Sequence, residues 1–249
     1  MKKYDEFKGG KGFPDLLARS IAKCPVRGID IEQVHNMILH CRQTSAFLYG
    51  APAKSFYRRG SRPVLEHIVA SVVPRRCGER EKLQALVAWV EDNVVHANGR
   101  KGKIPPDRAM TEEMIIKSGW GWCNEQARVL VCLAQVAGLA GRMCFLGVAD
   151  EGWGHTTAEI FVQGKWVFAD PTYGILLAGP GGVPASAKDI QQETRPAIKK
   201  CFGAQYRLAQ VREIVRWKKG NPSLNVEREL GHIHDARLFS CFALCNYAI

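Results

Sequence analysis

The sequence Gly121-Trp122-Cys123-Asn124-Glu125-Gln126-Ala127 begins a segment, ending near Ala137, in which apolar residues fall on almost every side of a helical wheel. Gly138 follows this segment, and glycine is the residue that most often ends a helix. The pattern is typical of a helix buried inside a domain. Cys123 lies in the first turn of this predicted helix, where the partial positive charge of the helix N-terminus favours a thiolate. The chain has nine cysteines, so neighbouring residues must support Cys123 as the nucleophile.

Three extended segments follow the buried helix. They span residues 143–148, 155–162 and 165–169, and Gln163-Gly164 separates the last two. A two-residue loop of this kind joins antiparallel strands in a hairpin. The sequence therefore predicts the α+β class, with the nucleophile-bearing helix packed on an antiparallel sheet and further helices on both flanks.

The register of the hairpin brings two polar residues near each other. A two-residue turn pairs Val162 with Lys165. Counting outward along both strands then places Asp170 opposite Thr157, and His155 lies two residues from Thr157 on the same face. His155 and Asp170 are thus diagonal neighbours, about 7 to 8 Å apart at the backbone. A four-residue loop keeps this relation, whereas a three-residue loop places the two residues on opposite faces.

Cys123, His155 and Asp170 together have the composition of a thiol active site. A thiolate attacks a carbonyl, an imidazole transfers the protons, and a carboxylate orients the imidazole. The alternative interpretation is a core cysteine, a histidine at a strand edge and a turn at Asp170-Pro171. The position of Cys123 at a helix start makes the catalytic interpretation the stronger of the two.

These three residues lie within a longer pattern that resembles the transglutaminase-like superfamily of papain-like cysteine enzymes. The stretches that carry the resemblance are residues 121–127, 138–142, 155–159 and 166–172. A helix is predicted from Glu81 to Val95, and its stretch from Leu83 to Val95 resembles the helix that precedes this core, so the resemblance covers about residues 79–178. Glu125 and Ala127 after the cysteine also resemble peptide N-glycanases of the same superfamily.

The resemblance implies a papain-like core and a role for each residue. Cys123 is the nucleophile, His155 acts as general base and then as general acid, and Asp170 orients His155. An aromatic or amide side chain before the cysteine often helps to form the oxyanion hole in such enzymes, and Trp120 and Trp122 are both candidates. The backbone N–H of Cys123 is a further donor.

The resemblance divides the chain into three regions. They are a helical N-terminal region (1–78), a transglutaminase-like catalytic core (79–178) and a mostly helical C-terminal extension (179–249). Helical periodicity and caps predict helices over residues 30–50 and 63–73 in the first region and over 197–219 in the last. Both flanking regions are expected to shape a substrate groove.

Hydrolysis of an amide bond is the reaction that the sequence favours. The chain is too short for the flanking β-sandwich and barrels of animal transglutaminases, and it has no acidic loop for calcium, so protein cross-linking is not favoured. We expect a cysteine-dependent peptidase or amidase that forms an acyl-enzyme and needs no cofactor. The alternatives are transglutaminase-type acyl transfer to an amine and a non-catalytic module that binds a peptide or glycan on the same fold.

Composition and charge limit the partners. The chain has 249 residues, of which 46% are hydrophobic, enough for one large globular domain. No run approaches about 18 consecutive apolar residues, and no apolar leader follows Met1, so a cytoplasmic protein without membrane contact is expected. The net charge of +11 favours a peptide or other amide-containing substrate of acidic character. Nucleic acid is not favoured, because the basic residues are scattered and no binding motif accompanies them.

A metal site near the C-terminus is the remaining candidate. His232, His234, Cys241 and Cys245 are residues of the type that bind zinc. Their spacing fits no common zinc module, and no glycine-rich stretch has the spacing of a phosphate-binding loop. The sequence therefore predicts no metal site.

Overall fold

The protein is built around a six-stranded sheet. The computed structural model describes residues 37–50, 53–101, 110–147, 154–233, 239 and 241–247. In chain order the strands are β1 (Met37–Leu39), β2 (Val95–His96), β3 (Trp120–Gly121), β4 (Gly141–Gly147), β5 (Gly154–Val162), β6 (Lys165–Asp170), β7 (Ile175–Leu176) and β8 (Cys241–Cys245). The main sheet has the order β1-β8-β4-β5-β6-β7, and each neighbouring pair is antiparallel. β2 and β3 form a separate parallel pair.

Helices cover both faces of the main sheet. They are α1 (Arg42–Tyr49), α2 (Pro63–Val72), α3 (Glu79–Asn93), α4 (Glu112–Ser118), α5 (Cys123–Val136), α6 (Ala187–Gln192), α7 (Pro196–Gly220) and α8 (Val226–Gly231). α5 packs on β4 and β5, and α2, α3 and α4 surround its other sides. Residues of α6 and α7 form a second core against the opposite face of the sheet. The predicted α+β class, with a buried helix on an antiparallel sheet, is confirmed.

The alternation of side chains along the strands separates these two cores. Residues 125–135 of α5 are all buried, as expected of a helix that is apolar on almost every side. In β6, Val167 and Ala169 join the core around α5, whereas Phe168 between them joins the core around α7. Successive side chains of a strand point to opposite faces, so one sheet can serve both cores.

The turn between β5 and β6 determines the register of the hairpin. Gln163 and Gly164 have φ angles of 51° and 83°, which is typical of a two-residue turn of type I′. Glycine adopts such angles without steric cost. Val162 pairs with Lys165, and the pairing continues along both strands in that register. The predicted two-residue turn and its register are therefore confirmed.

Two strands at one edge of the sheet differ from the prediction. The helix predicted over residues 30–50 is wrong at Met37–Leu39, which form β1, and α1 begins only at Arg42. A three-residue apolar run fits a helix and a strand equally well, and pairing with β8 decides between them. β8 lies between β1 and β4. Strands from all three predicted regions thus share one sheet, while the region boundaries at 78 and 178 stay a prediction.

A buried ion pair joins β4, β5 and α1. The guanidinium of Arg142 donates to Oε2 of Glu159 from Nε at 3.0 Å and from Nη2 at 2.6 Å. Glu159 also accepts from the hydroxyl of Tyr49 and from the backbone N–H of Ala187. Both charged side chains are almost completely buried. Each charge therefore depends on the other, because neither can reach water.

Removing one partner of this pair is expected to destabilise the protein strongly. Arg142→Ala leaves the Glu159 carboxylate buried without its counter-charge, so the free energy of unfolding should fall by about 3–5 kcal/mol. Urea denaturation followed by circular dichroism measures it. Arg195→Ala is the matched control, because it removes an exposed arginine–glutamate pair and should leave the urea midpoint unchanged. Equal effects of the two substitutions would contradict the structural importance of the buried pair.

Candidate active site

Cys123 is the first residue of α5, and its neighbours hold it there. The backbone N–H of Trp122 donates to Oε2 of Glu125 at 2.8 Å, which closes a capping box at the helix start. Gly121 permits this close approach, because a Cβ at that position would lie only 2.7 Å from Cβ of Glu125. The thiol is half-buried and lies at the positive end of the helix.

His155 and Asp170 come from the two strands of the hairpin. Nε2 of His155 lies 2.8 Å from Oδ2 of Asp170, and both side chains are buried. The register derived from the turn thus brings the two predicted residues into contact. Because Nε2 is bonded to the carboxylate, Nδ1 is the ring nitrogen that serves the Cys123 thiol.

The Asp170 carboxylate is bound from several directions. Its Oδ2 accepts from the hydroxyl of Tyr206 at 2.7 Å, and its Oδ1 accepts from the backbone N–H of Thr172 at 2.9 Å. The hydroxyl of Thr172 donates to the side chain of Gln126 at 2.7 Å. Gln126 follows Cys123 by one turn of α5 and donates to the backbone carbonyl of Val94 at 2.7 Å. A chain of hydrogen bonds therefore connects Asp170 with the helix that carries the thiol.

The electrostatics of the site favour a charged pair. Burial opposes ionisation of the Cys123 thiol, but hydrogen bonds from His155 and His96, and the positive charge of His155, lower its pKa to about 5. Burial also opposes a charged His155, but the Asp170 carboxylate and Cys123 outweigh it and raise the pKa of His155 to about 10. Between these values the thiolate and the imidazolium coexist, and the two groups titrate as a coupled pair.

His96 is a residue of this site that the sequence does not single out. It ends β2, where it pairs in parallel with Gly121 of β3, and its side chain hydrogen-bonds Cys123. Its ring stacks on Trp217 with centroids 4.6 Å apart and meets the ring of Trp122 edge-on at 5.4 Å. A lone histidine after a helix carries no motif. Only the pairing of β2 with β3 brings it to the cysteine.

Trp120 and Trp122, the two candidates for the oxyanion hole that the family resemblance implies, lie in different surroundings. Trp122 is half-buried, and its ring contacts His96. Trp120 is buried, and the guanidinium of Arg100 lies over its ring at 4.8 Å from the centroid. Trp122 is thus the tryptophan that contacts a histidine of the site, and Trp120 packs beneath a cation.

The described residues include no candidate for a bound metal. Among them, no group of three or more His, Cys, Asp or Glu side chains is placed to hold an ion. Of the C-terminal candidates, His234 and the Cys241 side chain lie outside the described residues. In the same part of the chain, no helix combines the length and apolar character needed to cross a membrane.

Comparison with known proteins finds a family model that matches part of the chain. Residues 66–171 match the family model of the transglutaminase-like superfamily. A "putative cysteine protease" from Cytophaga hutchinsonii is 16% identical, with a TM-score of 0.38, over 53% of this chain and 43% of that chain. A "putative protease" from Parabacteroides distasonis is 16% identical, with a TM-score of 0.36, over 50% of this chain and 26% of that chain. The chain thus spans less than half the length of either protein. No curated protein matches it.

The charged pair makes a prediction about alkylation. Because the thiolate forms as pH rises through the pKa of Cys123, the rate of alkylation by iodoacetamide should be half-maximal near pH 5. His155→Ala removes a hydrogen bond and a positive charge, so burial should dominate and rapid labelling at pH 6 should be lost. Peptide mapping by mass spectrometry measures the rate at each cysteine. A midpoint near the ordinary thiol pKa of about 8.5 in the wild type would contradict the pair.

The contact of Tyr206 with Asp170 makes a prediction about stability. Tyr206→Phe removes the hydroxyl that donates to a buried carboxylate, so the free energy of unfolding should fall by about 1–3 kcal/mol. Tyr57→Phe is the matched control, since it removes a tyrosine–carboxylate bond to the solvent-accessible Glu66. Urea denaturation of both variants gives the comparison. A smaller effect at Tyr206 than at Tyr57 would show that the hydroxyl does not support the carboxylate.

Proposed function

Because residues 66–171 match the family model of the transglutaminase-like superfamily, we propose that the protein is a cysteine-dependent amide-bond hydrolase, a peptidase or amidase. Cys123 is its nucleophile, and His155 and Asp170 complete the site. The observation that carries the proposal is the contact of His155 with both Asp170 and Cys123, because it supplies a thiolate and a proton donor in one place.

The reaction follows from these contacts in two stages. The Cys123 thiolate attacks the amide carbonyl carbon, and the C–S bond forms while the carbonyl electrons move to oxygen. When the tetrahedral intermediate collapses, the His155 imidazolium gives its proton to the leaving amine, and an acyl-enzyme remains. The neutral His155 then takes a proton from water, whose oxygen attacks the thioester and forms a second tetrahedral intermediate. When this intermediate collapses, the C–S bond breaks and the carboxylic acid leaves, while the proton on His155 and the electron pair on sulfur restore the thiolate–imidazolium pair.

Asp170 acts through His155. The bond from Asp170 to Nε2 of His155 fixes the ring so that Nδ1 faces the thiol. The charge of Asp170 stabilises the imidazolium of the first stage. The other two bonds of Asp170, from Tyr206 and Thr172, keep the carboxylate in place. Asp170 is therefore a positioning residue.

Water is the acceptor in this proposal, because it needs no binding site of its own. An amine acceptor needs a second site that holds it beside the acyl-enzyme. The net charge of +11 supports a peptide or amide substrate of acidic character. Arg100 lies over Trp120, three residues before the nucleophile, and it adds a positive charge near the start of α5.

A peptide mixture from casein tests the proposed activity. The wild type should produce new peptide termini, or carboxyls in place of side-chain amides, in buffer without any amine. Cys123→Ala should lose this activity by about 10³-fold or more, and His155→Ala by about 10²- to 10⁴-fold. Cys77→Ala, which changes another half-buried cysteine, is the control and should react like the wild type. Mass spectrometry identifies the products.

The same experiment separates the alternatives. Turnover that begins only after methylamine is added, with methylamide products, would replace hydrolysis by acyl transfer. Binding of casein peptides without turnover, together with slow alkylation of Cys123, would favour a non-catalytic module. Equal turnover by Cys123→Ala and the wild type would overturn the assignment of the nucleophile.

A further inference from the structure

The hydrogen bonds of His96 determine which of its ring nitrogens carries the proton. The backbone N–H of Asn98 donates to Nδ1 of His96 at 3.3 Å. A ring nitrogen that accepts a hydrogen bond carries no proton, so the proton of this imidazole lies on Nε2. His96 therefore presents an N–H donor, and not a base, to whatever Nε2 faces.

His96 is held in one orientation beside the nucleophile. Its ring lies between the stacked Trp217 and the edge of Trp122, and it is only 8% exposed. In the parallel ladder of β2 and β3, His96 pairs with Gly121, which precedes Cys123 by two residues. His96 is also one of the two histidines that lower the pKa of the Cys123 thiol. Because Nδ1 accepts from Asn98, Nε2 is the nitrogen left to interact with that thiol.

His155 and His96 differ in what their other nitrogen binds. Nε2 of His155 is bonded to a carboxylate, which favours a protonated ring that can give and take protons. Nδ1 of His96 accepts from an amide N–H, so the ring offers only its Nε2–H, as a donor. His155 is therefore the histidine that transfers protons. His96 contributes a fixed N–H dipole to the reaction.

We propose that His96 is a further catalytic residue, whose Nε2–H donates a hydrogen bond to the oxyanion formed when Cys123 attacks the substrate carbonyl. This inference rests on the proposed function. As the C–S bond forms, the negative charge moves from sulfur to the carbonyl oxygen beside it, and the donor that served the thiolate serves the oxyanion. No proton leaves His96. The backbone N–H of Cys123, which has no partner within the helix, is the second donor.

The proposal is an alternative to the expectation that Trp120 or Trp122 supplies the side-chain donor, which stays a prediction. Trp122 contacts the ring of His96, and Trp120 packs beneath Arg100. In this proposal Trp122 and Trp217 orient the imidazole. A donor fixed in this way needs no reorganisation when the charge develops, which is why such donors accelerate acyl transfer.

Two substitutions separate the donor from the aromatic ring. His96→Gln keeps an N–H donor at a similar distance from the backbone but loses the stack on Trp217. His96→Phe keeps an aromatic ring on Trp217 but has no donor. Two reagents separate the oxyanion from the thiolate, because p-nitrophenyl acetate acylates Cys123 through an oxyanion, whereas iodoacetamide alkylates it at a saturated carbon without one. Rates are compared on the pH plateau, where the thiol is fully ionised.

Acylation by p-nitrophenyl acetate should fall by about 10²-fold in His96→Phe and stay within a few-fold of the wild type in His96→Gln. Alkylation should stay within a few-fold in both variants. His96→Leu, which also lacks a donor, should show the same loss of acylation if His96→Phe does not fold. Cys77→Ala, which changes a cysteine outside the site, is the control and should acylate like the wild type. Circular dichroism establishes folding.

Three results would overturn the assignment. Rapid acylation of His96→Phe would show that no donor is needed, and slow acylation of His96→Gln with rapid acylation of His96→Phe would show that only the ring matters. An equal loss of acylation and alkylation in His96→Phe would mean that His96 acts on the thiolate. Failure of the proposed function itself looks different, since wild-type Cys123 would then react with both reagents no faster than an ordinary thiol.

Discussion

A buried carboxylate is the constraint on which the site depends. Asp170 is completely buried, and a buried charge is tolerated only if its oxygens are hydrogen-bonded and a counter-charge is near. Its donors come from three places: His155 on β5, Thr172 just after β6, and Tyr206 on α7. Thr172 in turn binds Gln126 on α5. The hairpin, the nucleophile helix and α7 must therefore all be docked before the carboxylate is satisfied, which makes the site a product of the whole fold.

Part of the site lies beyond the region that matches the family. The match ends at residue 171, but Tyr206 and Trp217 are both on α7. Tyr206 binds the carboxylate that holds His155, and Trp217 stacks on His96. One helix thus contacts His96 directly and is linked to His155 through Asp170. Sequence change in α7 can alter the reactivity of Cys123 without altering any residue of the family pattern.

The features that could be predicted from the sequence depend on local rules. A two-residue turn at Gln163-Gly164 implies a register, and that register brings His155 to Asp170. What could not be predicted depends on contacts between distant segments. His96 reaches Cys123 only because β2 pairs with β3, Tyr206 reaches Asp170 only because α7 docks on the sheet, and Met37–Leu39 form a strand only because β8 lies beside them. The hydrophobic periodicity of a segment does not predict such pairings, because each segment alone fits more than one structure.

Two imidazoles beside one thiol can meet two requirements of the reaction that a single imidazole cannot meet together. The thiolate before attack needs a positive neighbour, whereas the oxyanion after attack needs a donor that keeps its proton while a leaving group takes one. One histidine that gives its proton to the leaving amine cannot also hold the oxyanion. Here the partners of the distal nitrogens separate the two tasks, a carboxylate behind His155 and an amide N–H behind His96. The chemistry of each ring is therefore determined on the side facing away from the substrate, by the backbone turn at Asn98 and by the hairpin that ends at Asp170.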